Sequence, residues 1–195
     1  MCKLLKYCYS YNISAIMADI TVTDNFLPDE LYIECYNYAI TQYTSHDMVF
    51  KTNNVWISEI VQDSNPILIH TIDETHSLCK RLKTCIDDRL ELSNIKLKGV
   101  QLYFYMPGGH IPWHNDGDHT GGITIYLNKE WNNNWGGGLV YKSLDSNMIN
   151  GGFYPKQNRA INIQNNIEHS VFPSTKFSAV RMSIQCFYGN GDIIT

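Results

Sequence analysis

The chain has 195 residues, 44% hydrophobic and 17% charged, with a formal net charge of −4. That is enough apolar chain for one sizeable core, and the acidic balance offers no basic footprint for nucleic acid. No apolar run is long enough to span a bilayer as a helix, so neither a membrane nor a nucleic acid is an expected partner. Six cysteines, at positions 2, 8, 35, 79, 85 and 186, include no C-x-x-C pair. They read as thiols in a reducing compartment, not as a disulfide framework or a zinc site, and the expected location is cytoplasmic.

Residues 1–16 mix lysines with apolar residues, but Tyr, Ser and Asn interrupt any signal-like core. They read as a short extension, with Met17 as an alternative start, and the Asn12-x-Ser14 sequon matters only in a secreted chain. Residues 17–195 read as a single domain, with a strand and helices over 17–95 and a β-rich core over 97–190. Asp19-Ile20-Thr21-Val22 is the first strand. Asn25-Phe26-Leu27-Pro28-Asp29-Glu30 is a helix entrance, with proline and acids at the first turn, and Leu31, Cys35, Tyr38 and Ala39 carry the helix to about Gln42. Val55-Trp56-Ile57 is a short strand candidate. From Ile67 to Leu90 the spacing predicts a longer helix, with Ile72, Cys79, Leu82, Ile86 and Leu90 on one side. His70 and His76 fall within it and read as packing or surface residues.

The second half is punctuated by Gly, Pro and Asn, and strands are expected near 99–106, 110–114, 121–127, 138–142, 159–164, 168–172 and 179–188. This suits one sandwich or barrel. Three of these strands alternate cleanly. Val100, Leu102 and Phe104 oppose Gln101, Tyr103 and Tyr105; Ile123, Ile125 and Leu127 oppose Thr124, Tyr126 and Asn128. Val180, Met182, Ile184 and Cys186 oppose Arg181, Ser183, Gln185 and Phe187. Each has an apolar face for packing under helices. The polar faces either meet bulk water or converge on a cavity.

His114 and Asp116, in Trp113-His114-Asn115-Asp116, share a strand face, so imidazole and carboxylate can point at one ion. His169, in Glu168-His169-Ser170-Val171, offers a third ligand, and two histidines with one carboxylate form the facial triad of non-haem Fe(II). Trp113 should face away from His114 and pack, and His110 and His119 read as supporting or surface residues. Asp116-Gly117-Asp118 imitates a calcium loop, but its twelfth position is Leu127 where a bidentate acid is needed. Pro112 between His110 and His114 rules out a zinc helix. The loop Asn128–Gly138, with Trp131 and Trp135, is either a mobile rim over a substrate or a surface β-turn.

His114-x-Asp116, a distant His169 and then Arg181 together resemble the 2-oxoglutarate- and Fe(II)-dependent oxygenases, and within them the prolyl-hydroxylase branch. Supporting residues are Tyr105-x-x-Gly108, Tyr126-Leu127-Asn128-Lys129-Glu130-Trp131, Gly137-Gly138, Pro155 and His169-x-Val171-x-Pro173. The run from Tyr126 to Trp131 is similar to that of the animal hypoxia-sensing prolyl hydroxylases. The resemblance spans roughly Gly99 to Tyr188. It implies an α+β, mainly β fold: a double-stranded β-helix, or jelly roll, buttressed by N-terminal helices. It implies Fe(II) held by His114, Asp116 and His169, with 2-oxoglutarate and O2 as cosubstrates and ascorbate as a supporting reductant. It implies catalytic roles for those three residues and Arg181, which would grip the distal carboxylate of 2-oxoglutarate. Tyr126 would add a hydroxyl there, and Tyr105 would reach the keto-acid end. The interval from His169 to Arg181 is a few residues longer than in those relatives, which a turn around Pro173–Ser178 would absorb.

The activity implied is hydroxylation of a C–H bond of a prolyl residue in a protein or peptide, with release of succinate and CO2. Asp116 favours hydroxylation, since relatives lacking that carboxylate can halogenate. The same chemistry on another side chain, a small molecule or a nucleic-acid base is the nearest rival. Relatives that demethylate nucleic acid usually carry a second arginine at the position held here by Phe187. A non-catalytic jelly-roll binding module is the rival from another class.

Overall fold

The computed structural model describes residues 19–45, 51–52, 67–90, 95–117, 119–142, 148–165 and 167–190. In chain order the first half gives β1 (Ile20–Thr23), α1 (Asp29–Thr44), β2 (Lys51–Thr52), β3 (Ile67–Ile72) and α2 (Ser77–Leu90). The second half gives β4 (Ile95–Tyr105), β5 (Ile111–His114), β6 (Gly121–Tyr126), β7 (Leu139–Lys142) and β8 (Ile149–Phe153). β9 (Ala160–Gln164), β10 (His169–Val171) and β11 (Arg181–Asn190) complete it. The strand expected at 55–57 lies outside the described residues.

Two antiparallel sheets result. The larger runs β1-β9-β6-β11-β4-β3-β2, and the smaller runs β5-β10-β7-β8. β11 lies between β4 and β6, with Ile184 opposite Leu102 on one side and Ile125 on the other. Their apolar alternates, Val100, Leu102, Phe104, Ile123, Ile125, Leu127, Met182, Ile184 and Cys186, are buried in one cluster with Leu31, Cys35 and Ala39 of α1 and Leu78, Leu82 and Ile86 of α2. Amphipathic helices on one face of a β-sheet leave its opposite face to meet the second sheet. The result is the double-stranded β-helix that the alternation and the resemblance implied.

Ile67–Leu90, expected as one helix, is instead a strand followed by a helix. Ile67, Ile69, Thr71 and Ile72 are β-branched and pair with β4, Ile69 opposite Tyr103 and Ile72 opposite Val100. Asp73 then closes a turn, its Oδ1 accepting from Thr75 N at 2.8 Å and Thr75 Oγ1 at 2.6 Å. His70 and His76 flank that turn and pack on Tyr38, whose hydroxyl lies 3.2 Å from His70 Nε2 and whose ring lies 5.0 Å from that of His76.

β8 is a further strand, disguised in the sequence by Asn150-Gly151-Gly152. These glycines are set by packing. A Cβ on Gly151 would meet the Tyr141 hydroxyl at 2.8 Å, and one on Gly152 would meet Val140 Cγ1 at 2.8 Å.

Asn158 joins the helical front to the sheets. Its backbone is left-handed at φ 53°, and its buried side chain accepts from Leu27 N at 2.9 Å and donates to Leu27 O at 2.8 Å. Close by, Arg159 grips Asp24 through Nε at 2.7 Å and Nη2 at 3.2 Å, and Lys156 adds a contact at 2.6 Å. Hydrogen bonds from Arg159 and then Lys156 hold the Asp24 carboxyl down at about 2.

Two predictions follow from this junction. Asn158→Gly keeps the left-handed backbone but strands two buried groups of Leu27, so urea unfolding should show a loss of about 2–4 kcal/mol. Asp24→Asn should cost about 1 kcal/mol or less at neutral pH, because the network is solvent-exposed. The folded Asp24 carboxyl titrates below its unfolded value, so its contribution is present above pH 3.8 and disappears as pH falls to about 2. Wild-type and variant stabilities should converge over that range.

Candidate metal centre

His114 ends β5 and His169 begins β10, and they face each other directly in the antiparallel ladder. Their rings lie 4.2 Å apart between centroids. Asp116 follows just past the end of β5, and its Oδ1 sits 4.0 Å from His114 Nε2 and 3.8 Å from His169 Nε2. One ligand atom from each residue lies within 4.8 Å of the others, and this is the only such group of three among the described residues. His110, His70 and His76 are not part of it.

Local backbone fixes how the imidazoles present themselves. His114 Nδ1 lies 2.8 Å from the carbonyl oxygen of Pro112, and His169 Nδ1 lies 2.8 Å from that of Ile167. A carbonyl only accepts, so each Nδ1 carries the proton and each Nε2 turns a lone pair into the cluster. Burial, reinforced by the neighbouring His169, holds His114 down at about 4. Burial lowers His169 as well. Both are therefore neutral ligands at physiological pH. Asp116 is pushed up by burial, with His114 and His119 opposing. A buried carboxylate between two lone pairs calls for a cation, and this donor set of two nitrogens and one oxygen fits a divalent iron.

The polar faces of β4, β6 and β11 converge. Thr124, Tyr126, Tyr105, Ser183 and Arg181 are all buried, so these polar faces turn inward and not to bulk water. Asn128, on the same alternating face, does something else: it clamps β11, donating to Val180 O at 2.8 Å and accepting from Met182 N at 2.7 Å.

Arg181 is 1% exposed. The Tyr105 ring centroid lies 4.3 Å from its Cζ and that of Tyr126 lies 5.0 Å away. Tyr105 thus stands against the guanidinium. Two aromatic rings beside the cation stabilise its charge but accept none of its in-plane hydrogen bonds. Nε and Nη1 of Arg181 and the Tyr126 hydroxyl are buried without a hydrogen-bond partner. Unmet donors on a buried guanidinium, beside an unmet hydroxyl, suit an anionic ligand such as a carboxylate.

Arg181 keeps this position because the long turn before it is docked. Thr175 N donates to Trp135 O at 2.7 Å and Gly137 N to Pro173 O at 3.3 Å. Trp131, whose Nε1 donates to Gly136 O at 3.0 Å, lies over Gly137, where a Cβ would sit 3.0 Å from Trp131 Cζ2 and 3.7 Å from Arg181 Cδ. The Asn128–Gly138 loop thus lays Trp131 over Gly137, which the Arg181 stem also borders, while Trp135 packs edge-on against that ring at 5.3 Å. Trp113 packs edge-on against Phe172 with Lys142 over its face. His119 stacks on Phe187 at 4.7 Å, beside the cluster.

Two residues around the space beside Asp116 carry no role in the sequence reading, Gly122 and Gln185. Gln185 appeared only as one polar member of an alternating strand.

A family model described as the 2OG-Fe(II) oxygenase superfamily matches residues 100–189. No curated protein sequence matches the chain. Among solved structures, it is similar to a prolyl hydroxylase from Trichoplax adhaerens in complex with a peptide of the hypoxia-inducible factor oxygen degradation domain. The TM-score is 0.72 at 20% identity, over 88% of this chain and 84% of that one. A prolyl-4-hydroxylase from Pseudomonas putida superposes with TM-score 0.65 at 16% identity, covering 91% and 98%. The α-ketoglutarate-dependent epimerase SnoN from nogalamycin biosynthesis does so with TM-score 0.65 at 8% identity, covering 91% and 82%. These likenesses concern the fold. The family match covers the paired histidines, Asp116 and Arg181: residues 100–189 match the 2OG-Fe(II) oxygenase superfamily over the residues that build this site, and the match marks the protein as an enzyme of this type.

Proposed function

We propose that the enzyme hydroxylates a prolyl residue of a protein or peptide, using Fe(II), 2-oxoglutarate and O2, and releases succinate and CO2. Ascorbate as supporting reductant and a cytoplasmic setting belong to the same reading, and the free thiols Cys35, Cys79, Cys85 and Cys186 suit a reducing compartment. The observation that carries the oxygenase chemistry is the buried Arg181, with Nε and Nη1 unpaired beside an unpaired Tyr126 hydroxyl. Fold likeness to prolyl hydroxylases supports the choice of substrate.

His114, Asp116 and His169 would hold the metal on one face, leaving its other positions to the cosubstrates. When bound, Fe(II) supplies the activation of O2 that couples decarboxylation of 2-oxoglutarate to C–H hydroxylation. The chain's own part is placement. Arg181 offers the distal carboxylate of 2-oxoglutarate a planar pair of donors, and Tyr126 offers a third hydrogen bond. Tyr105 covers the guanidinium, and its hydroxyl stays protonated because burial raises it, although Arg181 opposes that shift. The Nδ1 bonds hold both imidazoles in the tautomer that ligates through Nε2.

Three variants separate the roles. His169→Ala and His114→Ala should abolish turnover, and an active His169→Ala protein would refute the ligand assignment. Arg181→Lys keeps a charge but loses the fork, so the KM for 2-oxoglutarate should rise about 10- to 100-fold with a smaller change in kcat.

Substrate class is tested by succinate release from Fe(II)-loaded enzyme with and without a pool of proline-containing peptides, read together with peptide mass. Stimulated turnover with a one-oxygen gain on proline is expected. Turnover that peptides leave unchanged would move the same chemistry to another substrate. Absence of both turnover and 2-oxoglutarate binding would instead favour a binding module.

A further inference from the structure

Asp116 uses its two oxygens differently. Oδ1 faces Nε2 of both histidines, at 4.0 and 3.8 Å. Oδ2 borders the empty space over Gly122, where a Cβ would lie 3.0 Å from it. The same Cβ would lie 3.0 Å from Nε2 of Gln185. The carboxylate's outer oxygen and a side-chain amide nitrogen thus flank one missing side chain, and glycine is the residue that lets them share that space.

Gln185 is also oriented from behind. It pairs across β11 and β6 with Thr124, whose hydroxyl donates to Gln185 Oε1 at 2.6 Å. With its oxygen engaged there, the amide presents only N–H donors to the other side. The reverse orientation would set the amide oxygen beside the carboxylate, acceptor against acceptor. A carboxylate that is buried and bound to a metal through one oxygen needs a donor on the other to hold its plane. Among the described neighbours of Gly122, the Gln185 amide is the group with a proton to give.

We infer that Gln185 is a positioning residue for the metal site: its amide N–H groups, fixed from behind by Thr124, face the gap over Gly122 that Oδ2 of Asp116 also borders, and close on Oδ2 when a metal holds Oδ1. The inference rests on the metal-site reading above and deepens it. The order of action is Thr124 to Gln185 to Asp116. Losing Gln185 should therefore loosen the ligand that Oδ1 presents, and losing Thr124 should act through Gln185 alone.

Co(II) titration of the metal-free protein tests this, because Co(II) takes the same class of donors and its visible ligand-field bands report their geometry. Gln185→Met should weaken Co(II) binding about 10- to 100-fold and alter those bands. Thr124→Val should shift both in the same direction by less, and should add nothing in the Gln185→Met background. Melting of the metal-free variants, which tracks a merely structural role, should stay near wild type. Gln185→Met with wild-type affinity and spectrum would overturn the assignment while leaving the metal site intact, provided His114→Ala has lost Co(II). Additive losses in the double variant would overturn the relay from Thr124. If wild type binds no Co(II), the metal-site reading itself fails and this inference falls with it.

Discussion

A buried guanidinium must find an anion or some other compensation, and the polar interior of this enzyme is arranged around that requirement. Removing a cation from water is expensive unless its charge and its donors are both met. The rings of Tyr105 and Tyr126 meet the charge, while Nε and Nη1 remain unspent. The protein therefore carries a standing demand for a planar acceptor. The strand that supplies it, β11, is hydrogen-bonded on both sides by β4 and β6. Its outward alternates are fixed in the helix-covered core, so Arg181 cannot swing out without the strand itself leaving the sheet.

The histidine pair follows a different logic, one of short range. Each imidazole is held by the carbonyl two residues before it, Pro112 for His114 and Ile167 for His169. Tautomer and ring direction are thus decided within a few residues of chain, before the two strands meet. The β5–β10 ladder then has only to bring two preset rings together. Asp116 is the member whose carboxylate needs outside help, since it sits beyond the strand end and burial disfavours its charge.

Much of this was readable from residue order, and the parts that were not share a cause. Alternation placed Val100, Leu102 and Phe104 in the core and Tyr105, Tyr126 and Arg181 on the other face, because a strand has one period and two sides. Alternation could not say whether three polar faces would converge, which depends on the curvature that brings one sheet over the other. Ile67–Ile72 reads as helix in the sequence and is a strand in the structure because a short apolar run fits either period. The β-branching of Ile67, Ile69, Thr71 and Ile72 and the turn at Asp73 were the available signals. β8 is hidden by Gly151 and Gly152, whose purpose is contact with Tyr141 and Val140 on the neighbouring strand β7, a reason their own segment does not display. Gln185 and Gly122 look ordinary in their own strands, and only the gap over Gly122, bordered by both Gln185 and Asp116, distinguishes them.

Strand periodicity also determines where this family of sequences can gain or lose residues. His169 stands opposite His114, so one residue added between Ile167 and His169 would turn the imidazole to the far side of the sheet and detach it from its carbonyl. The spacing of His114 and Asp116 is equally rigid. Residues added at Lys176–Phe177, the exposed tip of the turn before Arg181, lie outside both strands and beyond the docked stretch at Pro173–Thr175, and the ladders on either side are untouched. An alignment of distant relatives should accordingly admit gaps freely in that interval and forbid them in the two ladders. A search pattern that fixes the distance from the second histidine to the arginine would pass over chains built like this one.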